Sequence, residues 1–212
     1  MNGRSKLIAV GMGLAASTLL AYFDLIRPWH LRWGATDEEV ERSMPGDDVV
    51  EDPTFNATRA VTIEARPEEI WPWLVQVGFG RAGWYSYDWV DNLGRPSAER
   101  IIPELQELRV GDVVPMGPGG VGMRVRAFDP NRWLLWGGDD GKSTWAWGLC
   151  PIDDRRTRLI SRVRLAYHWT SPAIVFDLLL DMGDIVMMRK MMLGIKRRAE
   201  KLARQRKGEL NP

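Results

Sequence analysis

Cysteine and histidine are the scarcest chemistry-bearing residues in this chain: one cysteine, Cys150, and two histidines, His30 and His168. A lone cysteine excludes an internal disulfide and any CxxC metal or redox pair. The histidines lie far apart in sequence with no ligand cluster around either, so the chain offers no metal set and implies no cofactor. Cys150, followed by Pro151, reads as a small strand-end residue, and His168 as a surface histidine. Charge of one sign is lacking too: the net charge is +1 over 212 residues, which predicts no nucleic-acid partner. No hydrolase elbow, P-loop or Cys/His nucleophile pair occurs, so no catalytic residue is assigned. Phenylalanine is sparse, five against eleven tryptophans. Rings with one polar handle suit cavity walls and membrane interfaces equally.

What is present fits one domain with an appendage. Charge is unevenly spread: residues 37–52 hold eight acids against Arg42, and residues 189–207 hold nine bases against Glu200. Such blocks read as a polar collar and a basic helix end. Residues 7–23 carry no charge, preceded by Arg4 and Lys6 and followed by Asp24, Arg27 and Arg32. At about 1.5 Å per residue they reach roughly 25 Å, just under the ~30 Å hydrocarbon core. Leu25 and Ile26 extend the run, with Tyr22 and Trp29 at interfacial depth. The expectation is a single-pass anchor. A cleaved signal peptide competes, with a weak small-residue site around Leu14, Ala15, Ala16 and Ser17. Bases flank both ends, so the side of the soluble part stays open.

Two glycine patterns are decoys. Gly11, Gly13 and Ala16 follow a strand-like run, but no βαβ alternation comes after them. Gly117, Gly119 and Gly122 lie between strand-like segments, which makes them a hairpin turn with no helix N-terminus for phosphate.

Residues 34–53 read as an acidic linker or short helix, broken by Pro45-Gly46 and Asp52-Pro53. Residues 55–65 alternate as a strand, with Phe55, Ala57, Arg59, Val61 and Ile63 on one face; Arg59 there is an edge residue or a cavity charge. Pro67, Glu68 and Glu69 open a short buried helix bent by Pro72. A further short helix is expected over 98–108. Then strands at 110–116, 122–128, 132–136, 143–150 and 158–168 follow one another through tight turns, an antiparallel sheet with one apolar and one wet face. Trp145, Trp147 and Leu149 share one face; Leu159, Val163, Leu165 and Tyr167 share another, opposite Arg162 and Arg164. Arg124 and Arg126 face water. Ser171-Pro172 opens a long amphipathic helix with a methionine-rich side (Met182, Met187, Met188, Met191, Met192) and an aspartate stripe (Asp177, Asp181, Asp184). Its basic end, helical to about Arg204, projects beyond the sheet.

This order places the helix's apolar face on the apolar face of the sheet and leaves a pocket between them. The run from Ala60 to Trp71, AVTIEARPEEIW, resembles the opening strand and helix of the START/Bet v 1-like (SRPBCC, polyketide cyclase-like) superfamily. The block from Gly80 to Trp89, GRAGWYSYDW, and the Lys196–Glu200 run, KRRAE, resemble one bacterial, membrane-anchored branch of it. The resemblance covers about residues 28–205. It implies an α+β helix-grip fold, a curved antiparallel sheet wrapped around a long C-terminal helix, and binding of apolar ligands. It carries over no catalytic residue.

The expected organisation is an anchor over 1–27, an acidic linker over 28–53, a helix-grip domain over 54–205 and a disordered tail over 206–212. A chain beginning near Thr36 should then fold alone. The ligand-binding residues expected are Trp84, Tyr85, Tyr87 and Asp88 at the pocket mouth, with Trp145, Trp147 and Met182 on its walls. The competing reading of the 81–91 stretch is a capped loop that seals the core. Partners are a hydrophobic small molecule or lipid, and a membrane reached through the N-terminal helix and the basic helix end. Three classes follow: a carrier or sensor of an apolar molecule, a cyclase- or isomerase-type enzyme, or an interaction module with a filled core.

Overall fold

Alternation of apolar and polar residues sets up the first strand, β1 (Phe55–Ile63), and tight turns set up the rest: β2 (Val113–Pro115), β3 (Gly122–Asp129), β4 (Trp133–Gly137), β5 (Ser143–Pro151) and β6 (Thr157–Leu165). The computed structural model describes residues 13, 17, 20, 22–166 and 174–210, with the side chains of 183–206 and 208 along the last stretch. The six strands form one antiparallel sheet in the order β1-β6-β5-β4-β3-β2. β2 to β6 run as a meander whose last strand returns to β1, with Phe55 opposite Leu165 and Ile63 opposite Thr157. The second glycine pattern is the β2–β3 turn, where Gly119 and Gly120 take φ of 88° and 77°.

Two helices at the N-terminal side precede the sheet, α1 (Arg27–Leu31), after a π-helical turn at Tyr22–Ile26, and α2 (Asp37–Glu41). A third, α3 (Pro67–Val75), starts on Pro67 as expected and buries Ile70, Trp73 and Leu74. The helix expected over 98–108 is absent; only a 3₁₀ turn at Pro103–Leu105 forms. Gln76 explains this. Its amide donates to Arg100 O at 3.2 Å and accepts from Ile102 N at 2.9 Å, so that stretch pairs with a side chain instead of with itself.

The last helix, α5 (Ile174–Leu210), lies on the sheet's inner face and buries Met188, Met191, Met192, Ile195, Ala199 and Ala203. It runs through Leu210, so residues 206–210 are helical, not a disordered tail. Its bases are not all a projecting end. Lys196 donates to Thr62 O at 2.6 Å, and buried Arg198 donates to Ala98 O at 2.8 Å while pairing with Glu99 at 2.6 Å.

The sheet's other face is not wet. Residues 34–51 lie across it as a strap, held by the arginines that alternation had turned to solvent. Arg158 binds Glu39 through two bonds of 2.6 and 2.9 Å. Arg162 donates to Thr58 Oγ1, Arg42 O, Glu39 O and Val40 O and pairs with Asp47 at 2.6 Å. Arg164 reaches Val50 O at 2.7 Å and Glu51 O at 3.1 Å. Beneath the strap Met44, Ala60, Leu135, Ala146 and Ile160 form a second small core. The acidic stretch is therefore part of the fold more than a spacer: its carboxylates and free carbonyls satisfy guanidinium groups that burial would otherwise leave costly. Arg124 and Arg126 do face water, both paired with Asp139.

Of the uncharged run 7–23, only Gly13, Ser17, Leu20, Tyr22 and Phe23 fall among the described residues. Among the described residues no helix is long and apolar enough to cross a membrane. His168, Tyr167 and the Ser171-Pro172 helix start lie outside them.

Candidate functional site

A cavity of about 400 Å³ lies between α5 and the inner face of the sheet. Its walls come from four sources. The sheet supplies Phe55, Met123, Trp145, Val163 and Leu165; the β2–β3 turn supplies Met116; α5 supplies Gly183, Asp184, Met187, Met188 and Met191; and the segment after α3 supplies Trp84, Ser86 and Asp91. The volume lies within the ~300–1,000 Å³ of ordinary small-molecule sites.

The cavity floor is a tryptophan cluster. Trp84 stacks on Trp145 with ring centres 5.8 Å apart and planes at 5°, while Trp136 meets Trp145 edge-on at 5.1 Å and Trp147 tilts on it at 5.2 Å. Trp145 Nε1 donates to Ser161 Oγ at 2.9 Å, which leaves its ring face for the cavity. Trp84 and Trp145 thus stand on the lining, whereas Trp147 is fully buried and is not among the lining residues.

The remaining expected mouth residues hold the loop instead of lining the space. Tyr85 has φ of 57°, unfavourable for a bulky side chain, and many contacts fix it there. Its N–H donates to Ser97 Oγ at 3.0 Å, its hydroxyl meets Gln76 Nε2 at 2.9 Å and Trp73 O at 3.2 Å, and Arg198 lies 4.4 Å over its ring. Burial pushes its phenol well above the ordinary tyrosine value, against the hydrogen bond from Gln76 and the nearby Arg198 and Arg81 charges. Gly194 of α5 passes so close that a Cβ there would collide with the Tyr85 carbonyl oxygen. Anchored between them, Tyr85 lets its neighbours Trp84 and Ser86 both reach the cavity.

Asp88 opens α4 (Asp88–Asp91) and accepts from Ser97 Oγ at 2.5 Å and Asn92 Nδ2 at 2.6 Å. Burial alone would raise its carboxyl, but these hydrogen bonds, with Arg198 beyond, hold it below the ordinary aspartate value. Asp88 is a loop cap and does not line the cavity. Tyr87 lies outside under Lys190, whose Nζ is 5.6 Å from the ring centre. Met182 directly precedes lining residue Gly183 on α5, but its side chain lies outside the described residues.

Sequence reasoning took in Asp91 and Ser86 only as part of the 81–91 stretch without singling them out, and it missed Asp184, Phe55 and the two methionines of the β2–β3 hairpin as lining. Asp91 is half-buried; burial pushes its carboxyl up, against hydrogen bonds from Ser86 and the Tyr87 N–H at 3.2 Å. Asp184 pairs with buried Arg59, which also donates to His30 O at 2.8 Å. Arg59 is therefore a buried cation tied to the cavity wall through Asp184. A strand-face charge opposite an aspartate stripe was the signal for that pair; nothing in the spacing of 81–91 distinguished Asp91 from Asp88.

A curved antiparallel sheet gripping a long C-terminal helix around an apolar cavity defines the class: an α+β helix-grip protein with a pocket between its two layers. No protein-family model matches the chain, and neither does any curated protein sequence. Among solved structures it is similar to a protein from Thermobifida fusca, at 16% identity over 69% of this chain and 94% of that one, TM-score 0.45. It is also similar to the Aha1 dimer from Colwellia psychrerythraea, at 18% identity over 68% and 96% of the two chains, TM-score 0.40. A polyketide-cyclase-like protein from Corynebacterium glutamicum matches at 17% identity over 74% and 93%, TM-score 0.33. The fold assignment rests on the strand order, register and helix placement of this chain.

Proposed function

We propose that this protein binds one apolar small molecule, of lipid, isoprenoid or polyketide type, in the cavity between sheet and helix, and does so at a membrane surface as a carrier or sensor. The observation that carries this reading is the cavity itself: tryptophan, phenylalanine, valine, leucine and methionine make up its lining except for glycine, Ser86, Asp91 and Asp184. Methionines on two facing elements give a wall that adapts to ligand shape. A filled core, as an interaction module requires, is not what an open space of about 400 Å³ favours.

The membrane part draws on the cavity's rim. Trp89 and Leu93, beside Asp91, are 76% and 65% exposed, and Val121, whose carbonyl accepts from Met116 N, is 79% exposed. Leu25 and Trp29 are exposed too, and Arg27 of α1 donates to Thr54 O next to Phe55 at 3.1 Å. In sequence the uncharged run 7–23 precedes α1, which is tied to the chain beside Phe55, and large apolar side chains exposed next to lining residues would suit a lipid interface.

A second reading, a cyclase- or isomerase-type enzyme, draws on Asp91, a carboxylate raised by burial within the cavity. The test of binding is titration of the full chain with a neutral apolar fluorophore, with native mass spectrometry of co-purifying lipid. Saturable binding that quenches tryptophan emission is expected. Non-saturable uptake of the dye, with nothing travelling with the protein, would overturn the reading.

A further inference from the structure

Polar groups on the cavity wall are few and of one kind. Among the described lining residues the ionisable ones are Asp91 and Asp184, with no lysine, arginine or histidine. Asp184 is already paired with Arg59, whose side chain is 1% exposed, so that buried cation is neutralised from within the fold. Ser86, the remaining polar side chain of the lining, shares its hydroxyl between Met187 O at 3.1 Å and the Asp91 carboxylate. Asp91 accepts from Tyr87 N through Oδ2 at 3.2 Å and stands half-buried against an apolar chamber. A carboxylate there gains from a further donor, because its hydration is reduced. An anionic ligand head would meet like charge with no base on the wall to balance it. A hydroxyl or ammonium head would complete the carboxylate's hydrogen bonding.

The geometry points to an amphipathic ligand with a hydrogen-bond-donating head, a long-chain alcohol or amine as opposed to a fatty acid or acyl phosphate. The head sits at Asp91, and the tail lies along Trp84, Trp145 and the methionines of α5. This inference rests on the cavity reading above and narrows its ligand class.

The test uses the full chain loaded with a neutral apolar fluorophore and titrated with dodecanol, dodecylamine, methyl dodecanoate and dodecanoate. Dodecanol and dodecylamine should displace the dye at concentrations about tenfold or more below those needed for the ester and the carboxylate. Asp91→Asn should bring dodecylamine and dodecanoate to within about threefold of each other. Dodecanoate displacing dye from the unaltered protein as well as dodecylamine does would overturn the inference, and that comparison needs no variant to fold. Dye that binds and is displaced equally by all the probes removes only the head-group assignment. Dye that does not bind at all removes the cavity reading as well.

Discussion

Asp88 and Asp91, three positions apart on α4, experience opposite electrostatics. Asp88 is a cap whose carboxyl is held below its ordinary value, so the stability it contributes is present above its unfolded pKa of about 3.9 and is lost as pH falls through its folded value. Asp91, raised by burial, has the reverse sign: its favourable term is present below about 3.9 and is lost as pH rises through its folded value. At neutral pH Asp88→Asn should therefore lower the melting temperature and leave dye affinity unchanged, while Asp91→Asn should hold or raise it. The Asp91 difference from the unaltered protein should shrink on acidification toward pH ~4, and the Asp88 difference only on further acidification below it. Thermal unfolding across that pH range checks the signs; a binding defect in Asp88→Asn without a stability loss would return Asp88 to the site. Gly194 offers a second case at this scale. The collision of an added Cβ with the Tyr85 carbonyl cannot be relieved by a flexible side chain, so Gly194→Ala should destabilise by about 1–3 kcal/mol, the range for overpacking. Because Tyr85 lies between Trp84 and Ser86, dye affinity should fall with it.

The strap and the β6 arginines behave as one element. Arg162 is 3% exposed and donates to three carbonyls, a hydroxyl and Asp47, so removing its guanidinium orphans several groups at once. Arg162→Ala should cost about 3–5 kcal/mol in urea unfolding, the range for breaking a buried pair. Arg132→Ala, whose partner Asp129 it meets on the surface, should cost less than about 1 kcal/mol. Equal losses in the two variants would mean that the strap does not hold the sheet. Acid should loosen this strap. Burial alone would raise Glu39, but Arg158 and the Thr36 N–H hold it below its ordinary value, so its contribution fades as pH falls through that lowered value. The cavity-facing side of α5 responds differently. Met191→Trp adds volume where space already exists, so dye binding should be lost with a stability change under about 1.5 kcal/mol. Retained dye binding would place the ligand elsewhere.

For the whole molecule, the N-terminal residues matter to the domain and not only to a membrane. His30 O accepts from Arg59, Trp33 O accepts from Ala60 N, and Gly34 O accepts from Arg158, so α1 and the residues after it are built into the sheet's edge and outer face. A chain beginning at Thr36, which the linker reading expects to fold alone, should melt well below one beginning at Tyr22. Equal melting temperatures would make those contacts dispensable. The full chain should fractionate with membranes and resist a carbonate wash, whereas recovery in the soluble fraction would remove the anchor.

The sequence by itself determined the order of elements, the inner sheet face and the helix that covers it, because period-2 and period-3.6 patterns act over neighbouring residues. Trp145, Trp147, Leu159 and Val163 were legible on those grounds, and so was the glycine-rich β2–β3 turn. Tertiary structure alone decided what covered the outer face and which acid entered the cavity. An arginine alternating on a strand looks the same whether water or a distant carboxylate solvates it; Arg162 and Asp47 find each other only across more than a hundred residues. Likewise Asp88 and Asp91 differ in role because one turn of chain, pinned by Tyr85, Ser97 and Gly194, sends one carboxylate into a hydrogen-bonded cap and the other to the cavity wall.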